Sequence, residues 1–196
     1  MEAKSYNARA QEYISALEKA KHTLLFNSGI STLSAVLSMI PTNSTIVTQD
    51  DFYSGTRHLV GKIFGPRLQN KVLKPTDSME VLEKILKEND VSLVLIESPS
   101  NPLLQIYDIE EISKLVKANR KDSLYPILMV DNTLATPIFQ NPLVLGADLV
   151  VHSATKFLAG HSDTLAGSIS TNDDTLYKLL CDVRERMGNH LEEFSC

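Results

Sequence analysis

A lysine just after one apolar run, a carboxylate closing another and a serine–glycine pair after a third are the groups here best placed for chemistry. Ser153-Ala154-Thr155-Lys156 follows the run at 148–152 and offers two hydroxyls and an amine within four positions. Such a lysine is either a solvated surface charge or, desolvated at the mouth of a buried sheet, a Schiff-base amine. Asp131 ends the run Ile127-Leu128-Met129-Val130. A carboxylate emerging from a buried strand needs a partner. That partner is a helix N–H or an arginine of the protein itself, or the cationic ring nitrogen of a bound cofactor. Ser28-Gly29-Ile30 falls at a strand-to-helix turn. Free backbone N–H groups at such a turn receive an anion such as phosphate, and a glycine there also serves an ordinary tight turn.

These groups need a scaffold, and the pattern between them supplies one. Apolar runs at 23–26, 45–48, 71–73, 93–97, 127–131 and 148–152 alternate with helical periodicity at 10–20, 30–40, 56–64, 77–88, 108–119 and 175–187. Strands alternating with helices predict an α/β protein: three layers, a mostly parallel sheet flanked by helices, with strands buried on both faces. Asp77 and Glu80, like Asp108 and Glu111, are spaced as capping boxes. In open α/β sheets the ligand site lies beyond the carboxyl ends of the strands. The loops to examine are therefore those after each run: 27–29, 50–55, 98–102, 132–137 and 153–163.

Composition narrows the classes. The 196 residues suit one domain, and 43% hydrophobic with 22% charged residues is ordinary for a globular protein. A net charge of −5, spread along the chain, argues against a nucleic-acid surface. The apolar runs are too short to cross a bilayer, and the polar start MEAKSYNARA lacks the apolar core of a signal peptide, so a cytoplasmic protein without membrane partners is expected. Two cysteines, Cys181 and Cys196, exclude a disulfide framework and are expected to be reduced. His161 and Asp163 have no third ligand at a sensible spacing, so no metal is expected.

The segment His152-Ser153-Ala154-Thr155-Lys156-Phe157-Leu158-Ala159-Gly160-His161-Ser162-Asp163 closely resembles the cofactor-lysine signature of the Cys/Met-metabolism enzymes that use pyridoxal phosphate, the cystathionine γ-lyase, β-lyase and γ-synthase relatives. Asp51-Phe52-Tyr53-Ser54-Gly55-Thr56, Glu97-Ser98-Pro99-Ser100-Asn101-Pro102 and Val130-Asp131-Asn132-Thr133 resemble that family's other segments in the same order. The resemblance runs from about Leu17 to the C-terminus and is strongest to cystathionine γ-lyase. It implies the large domain of a fold-type I transferase, with residues 21–196 as the pyridoxal-phosphate-binding unit and 1–20 as an N-terminal helical segment. It further implies that Lys156 holds the cofactor as a Schiff base and moves the substrate's Cα proton, and that Asp131 pairs with the pyridine nitrogen. By the same resemblance the Gly29 and Ile30 N–H groups and the Ser153 and Thr155 hydroxyls hold the phosphate. Tyr53 stacks on the ring and meets the substrate amine or leaving sulfur, Asn101 bonds the 3′-oxygen, and Thr133 joins the cofactor-binding set.

Two parts of the family pattern are unmatched. The Tyr-x-Arg segment that reaches a neighbouring subunit's cofactor has only Ser5-Tyr6-Asn7-Ala8-Arg9 as an imperfect counterpart, and the smaller C-terminal domain, with its carboxylate-binding arginine, lies beyond these 196 residues. The expected function is a C–S lyase acting on cystathionine or a related sulfur amino acid, within a homodimer or homotetramer. The alternatives are β-lyase or γ-synthase chemistry, an inactive relative that only binds the cofactor, and an unrelated nucleotide-binding module, which leaves Lys156 and Asp131 unexplained.

Overall fold

A computed structural model describes residues 5–193; Cys196 lies outside the described residues. Seven strands form one sheet: β1 (His22–Phe26), β2 (Thr45–Gln49), β3 (Gln69–Leu73), β4 (Val91–Glu97), β5 (Ile127–Asp131), β6 (Leu149–His152) and β7 (Gly167–Thr171). Their order is β1-β7-β6-β5-β4-β2-β3. The pairs β2·β3, β2·β4, β4·β5 and β5·β6 are parallel, and β7 runs antiparallel to both its neighbours, β6 and β1. Because β7 reverses direction twice over, β1 points the same way as β6. The carboxyl ends of β1, β2, β4, β5 and β6 therefore share one edge of the sheet, and β7 begins there.

Helices cover both faces. On one side α2 (Gly29–Met39) and α7 (Asp174–Met187) bury Leu33, Val36, Leu37, Leu176 and Leu180 against alternate strand residues such as Leu24, Leu93 and Met129. On the other, α4 (Met79–Glu88) and α5 (Ile109–Ala118) bury Leu82, Leu86, Ile112 and Val116 against Val94, Ile96 and Val130. Strand residues of opposite parity thus face opposite helical layers, as the two-residue strand period requires. Helix α1 (Tyr6–Glu18) places Ile14 against Leu25 of β1 in a smaller third cluster.

The expected three-layer α/β architecture is present, with corrections in detail. The run at 71–73 belongs to an edge strand whose first four residues are exposed, so it is not buried on both faces. The helix expected over 56–64 starts two residues earlier as α3 (Ser54–His58) and passes into a π-helical turn, Leu59–Phe64. Asp77 does not cap α4: Ser78 holds that position without a side-chain bond, and the Asp77 carboxylate instead accepts the Lys74 N–H at 2.8 Å, closing the preceding turn. Asp108 does cap α5, accepting the Glu111 N–H at 2.9 Å. The short helix α6 (Thr136–Phe139) and strand β7 have no counterpart among the expected elements. Cys181 is a free, half-buried thiol.

Candidate functional site

The loops at the common carboxyl edge enclose a cavity of about 490 Å³. Every residue of the expected cofactor site lines it: Gly29 and Ile30 after β1, Tyr53 after β2, Asn101 after β4, Asp131 and Thr133 at the end of β5, and Ser153, Thr155 and Lys156 after β6.

At one end lies the start of α2. Ser28 caps it, its Oγ accepting the Ser31 N–H at 3.1 Å. The Gly29 and Ile30 N–H groups, in the first turn, have no intrahelical carbonyl to reach and remain free for an anion. Gly29 is required by closeness: a Cβ there would stand 3.0 Å from Cβ of Ser153. Its absence lets the Ser153 loop approach the helix end. Thr155 sits beside it, but its hydroxyl donates to the Ala166 carbonyl at 3.1 Å and accepts the Ala166 N–H at 3.0 Å. The Thr155 oxygen is thereby fixed against the backbone leading into β7, still on the cavity wall.

Asp131 occupies the floor. Its Oδ1 accepts both the Thr133 N–H, at 3.0 Å, and the Thr133 hydroxyl, at 2.5 Å. The Thr133 oxygen in turn accepts the Ser153 N–H at 2.9 Å. One relay therefore ties the β5 and β6 loops together and fixes the carboxylate. Burial pushes the Asp131 carboxyl above the usual carboxylate range, while the two Thr133 bonds and the nearby His152 pull the other way. Among the described residues no lysine or arginine forms an ion pair with it. Among the described residues, Asp131 thus has a backbone N–H and a hydroxyl of Thr133 as donors but no arginine partner.

Lys156 lies on the turn after β6 with its N–H on the Ser153 carbonyl at 3.1 Å. Its side chain is exposed at the cavity mouth rather than desolvated. Tyr53 is half exposed; Gly55 makes room for it, since a Cβ at that glycine would stand 2.4 Å from the tyrosine ring. The loop carrying Asn101 is anchored by Asp51, whose Oδ2 takes the Ser100 hydroxyl and, at 3.1 Å, the Leu103 N–H. His161 is exposed with Nδ1 2.7 Å from the Ala159 carbonyl, and no metal-binding cluster of His, Cys, Asp or Glu occurs among the described residues.

Two features were missed from the sequence. Glu97 lines the cavity beside Asp131, its registered partner across β4·β5. Behind the site, Glu18 at the end of α1 bonds His152, and its Oε1 also accepts from the Asn132 amide at 3.1 Å. The amide of Gln140 continues the network to Asn132 Oδ1 at 2.9 Å and to the Ser98 carbonyl at 2.8 Å. Glu18 carried a signal, a carboxylate at the end of an apolar-faced helix, but its partners lie over a hundred residues away.

An anion cradle, a fixed carboxylate lacking a cation, an amine and an aromatic face around one cavity suit a phosphorylated, ring-nitrogen cofactor, and they define a cofactor-binding α/β protein. The comparisons with known proteins agree. The chain belongs to the Cys/Met metabolism PLP-dependent enzymes, whose family model matches residues 5–196. It is 37% identical over 188 residues to the putative cystathionine gamma-lyase 2 of Caenorhabditis elegans, covering 95% of this chain and 47% of that protein. It is 41% identical over 178 residues to a cystathionine beta-lyase of Lactococcus lactis, covering 91% and 45%. The solved structure of metB from Corynebacterium glutamicum superposes with a TM-score of 0.89 at 32% identity, covering 97% of this chain and 48% of that one. The chain spans about half the length of the curated relatives it matches. Pyridoxal 5′-phosphate is the cofactor this family implies, and the donor set found here fits it.

Proposed function

We propose that this chain is the cofactor-binding portion of a pyridoxal-phosphate-dependent C–S lyase acting on cystathionine or a related sulfur amino acid. The observation that carries this reading is Asp131, held by Thr133 on a cavity floor where no lysine or arginine among the described residues pairs with it. When bound, pyridoxal phosphate supplies an aldehyde for covalent capture of an amine and a protonated ring that draws electrons from the substrate's Cα. The rest falls to the chain. The Gly29 and Ile30 N–H groups and the Ser153 and Thr155 hydroxyls orient the phosphate, with Thr155 also bracing the loop by accepting the Ala166 N–H. Asp131 keeps the ring nitrogen protonated, Thr133 keeps Asp131 in place, and Asn101 bonds the 3′-oxygen. Tyr53 covers the ring and meets the substrate. Lys156, at the open mouth, holds the cofactor covalently and then moves the Cα proton between substrate and Nζ.

Both γ- and β-elimination are represented among relatives of equal standing, cystathionine gamma-lyases and beta-lyases alike. γ-Elimination on cystathionine is the reading preferred here, and β-elimination is the second. The division into an N-terminal segment, 1–20, and a cofactor unit, 21–196, belongs to this proposal, as do a cytoplasmic location and a homo-oligomeric whole protein. The exposed apolar side chains of Ile138 and Phe139 on α6 support the last. No helix among the described residues is long and apolar enough to cross a membrane.

Titration of the chain with pyridoxal phosphate tests the core of the reading. A visible absorbance band that is lost in Lys156→Ala is expected; an identical band in the variant would refute the assignment of Lys156. Turnover of cystathionine to 2-oxobutanoate favours γ-elimination, and pyruvate favours β-elimination.

A further inference from the structure

Glu97 is the one ionisable group on the cavity floor for which the cofactor reading has no use. It closes β4 directly beside Asp131 on β5 and is 6% exposed. Its backbone is clamped from β2: the Gln49 amide donates to the Glu97 carbonyl at 2.9 Å, and the Gln49 side-chain oxygen accepts the Glu97 N–H at 2.8 Å. The side chain therefore has a fixed base. Its Oε2 accepts the Tyr53 N–H at 2.9 Å, tying it to the loop that presents the aromatic ring.

The charged and titratable groups around it are Asp131 from β5, Asp51 and Tyr53 from the loop after β2, and Lys156 across the cavity. Two carboxylates on neighbouring strands, poorly solvated and without a cation between them, do not both ionise readily. The surroundings decide which keeps the proton. Asp131 has two donors from Thr133 and the field of His152, whereas Glu97 has a single N–H. Burial first, and then Asp131, push the Glu97 carboxyl up to about 8.

We propose that Glu97 is a positioning residue of the cofactor site, which fixes Tyr53 through its backbone N–H and holds, beside Asp131, a proton that is released when a cationic ring nitrogen settles against Asp131. The inference rests on the cofactor reading above. The balance is simple: the Glu97 O–H ionises, the proton passes to solvent, and the floor exchanges one positive charge for another. Placing a cation between the carboxylates removes the repulsion that kept Glu97 neutral.

The probe is pyridoxamine 5′-phosphate, which carries the ring nitrogen and phosphate but no aldehyde, so Lys156 does not react with it. Calorimetric titration into the 196-residue chain, in two buffers of different ionisation heat, counts the protons released. Wild type is expected to release up to about one proton more than Glu97→Gln, and its affinity to rise with pH up to about tenfold per unit more steeply between about pH 6 and 8. Glu97→Gln keeps an oxygen for Tyr53, whereas Glu97→Ala does not and is expected to bind more weakly than Glu97→Gln. A role limited to holding the loop would leave proton release equal in wild type and Glu97→Gln, and that result overturns the proposal while sparing the cofactor site. Absence of binding to wild type overturns the site reading and this inference with it. Should Glu97→Gln not fold, carboxyl-carbon NMR of the wild type decides the matter. One glutamate titrating near pH 8 must move down by about one unit or more on saturation with the probe; an unmoved titration overturns the proposal.

Discussion

Thr133 directs both its N–H and its hydroxyl at one oxygen of Asp131 and takes the Ser153 N–H on the same hydroxyl oxygen. Thr133→Val keeps the shape and removes the hydroxyl, leaving the Ser153 N–H unpaired and Asp131 with one donor. The expected cost is about 1–3 kcal/mol of stability, read from denaturant midpoints, with weaker binding of pyridoxal phosphate. Glu97 sets a pH dependence of its own. Its carboxyl is near 4.5 in the unfolded chain and raised to about 8 when folded. The folded state then binds more protons between these values, so stability from this group is full below about 4.5 and declines as pH rises through 8. Urea midpoints taken from pH 5 to pH 8 are expected to fall less in Glu97→Gln than in wild type. Individual residues were legible to different degrees. Lys156, Asp131 and Ser153 stood out because each follows an apolar run at a predictable sheet edge. Glu97 closes such a run too, yet its neighbour Asp131 is apparent only once β4 and β5 pair in register.

At the scale of elements, periodicity located every strand that reads as an apolar run and every helix with a buried stripe. Strand β7 escaped because Gly167-Ser168-Ile169-Ser170-Thr171 is small and polar, although all five residues are buried. Its burial depends on small size rather than on apolarity. A Cβ on Gly167 would lie 2.4 Å from the Ser28 carbonyl oxygen, and the Ser170 hydroxyl lies 2.8 Å from that of Thr23 on β1. This close approach sets the N-terminus of α2 against the sheet, so β7 positions the anion cradle without touching a ligand. Gly167→Ala forces the α2 start away and is expected to cost about 1–3 kcal/mol, as overpacking does, together with a loss of cofactor affinity. Gly29→Ala meets Ser153 less closely, at 3.0 Å from its Cβ, 3.1 Å from its Cα and 3.2 Å from its Oγ, so a smaller loss of stability is expected beside a comparable loss of affinity. Thermal unfolding of both variants, with and without pyridoxal phosphate, separates the two effects. The π-helical turn after α3 was unreadable for a different reason: its apolar spacing is compatible with an ordinary helix, and only the backbone bonding departs from one.

Across the whole molecule, the cavity wall is continuous with a buried polar network that joins α1 to the loop after β4. Glu18 and His152 are 0% and 2% exposed, and Asn132 and Gln140 carry the network to the loop after β4. The residues flanking Asn132 and following His152 are Asp131, Thr133 and Ser153, so α1 braces the cofactor floor from behind. Nothing local in the sequence announces this, because the partners come from four separated segments and meet only when the sheet is complete. One oxygen of Glu18 is buried without a partner, so the pair is not ideally solvated, and its value lies in what is orphaned when it breaks. Glu18→Ala leaves the Asn132 amide and the His152 ring short of an acceptor and is expected to cost about 3–5 kcal/mol. The His152→Ala, Glu18→Ala double variant removes both members and is expected to cost less than the sum of the two single changes. If the three denaturant midpoints add without such a deficit, Glu18 and His152 contribute independently, and α1 is attached by its apolar contacts on β1 rather than through the floor of the site.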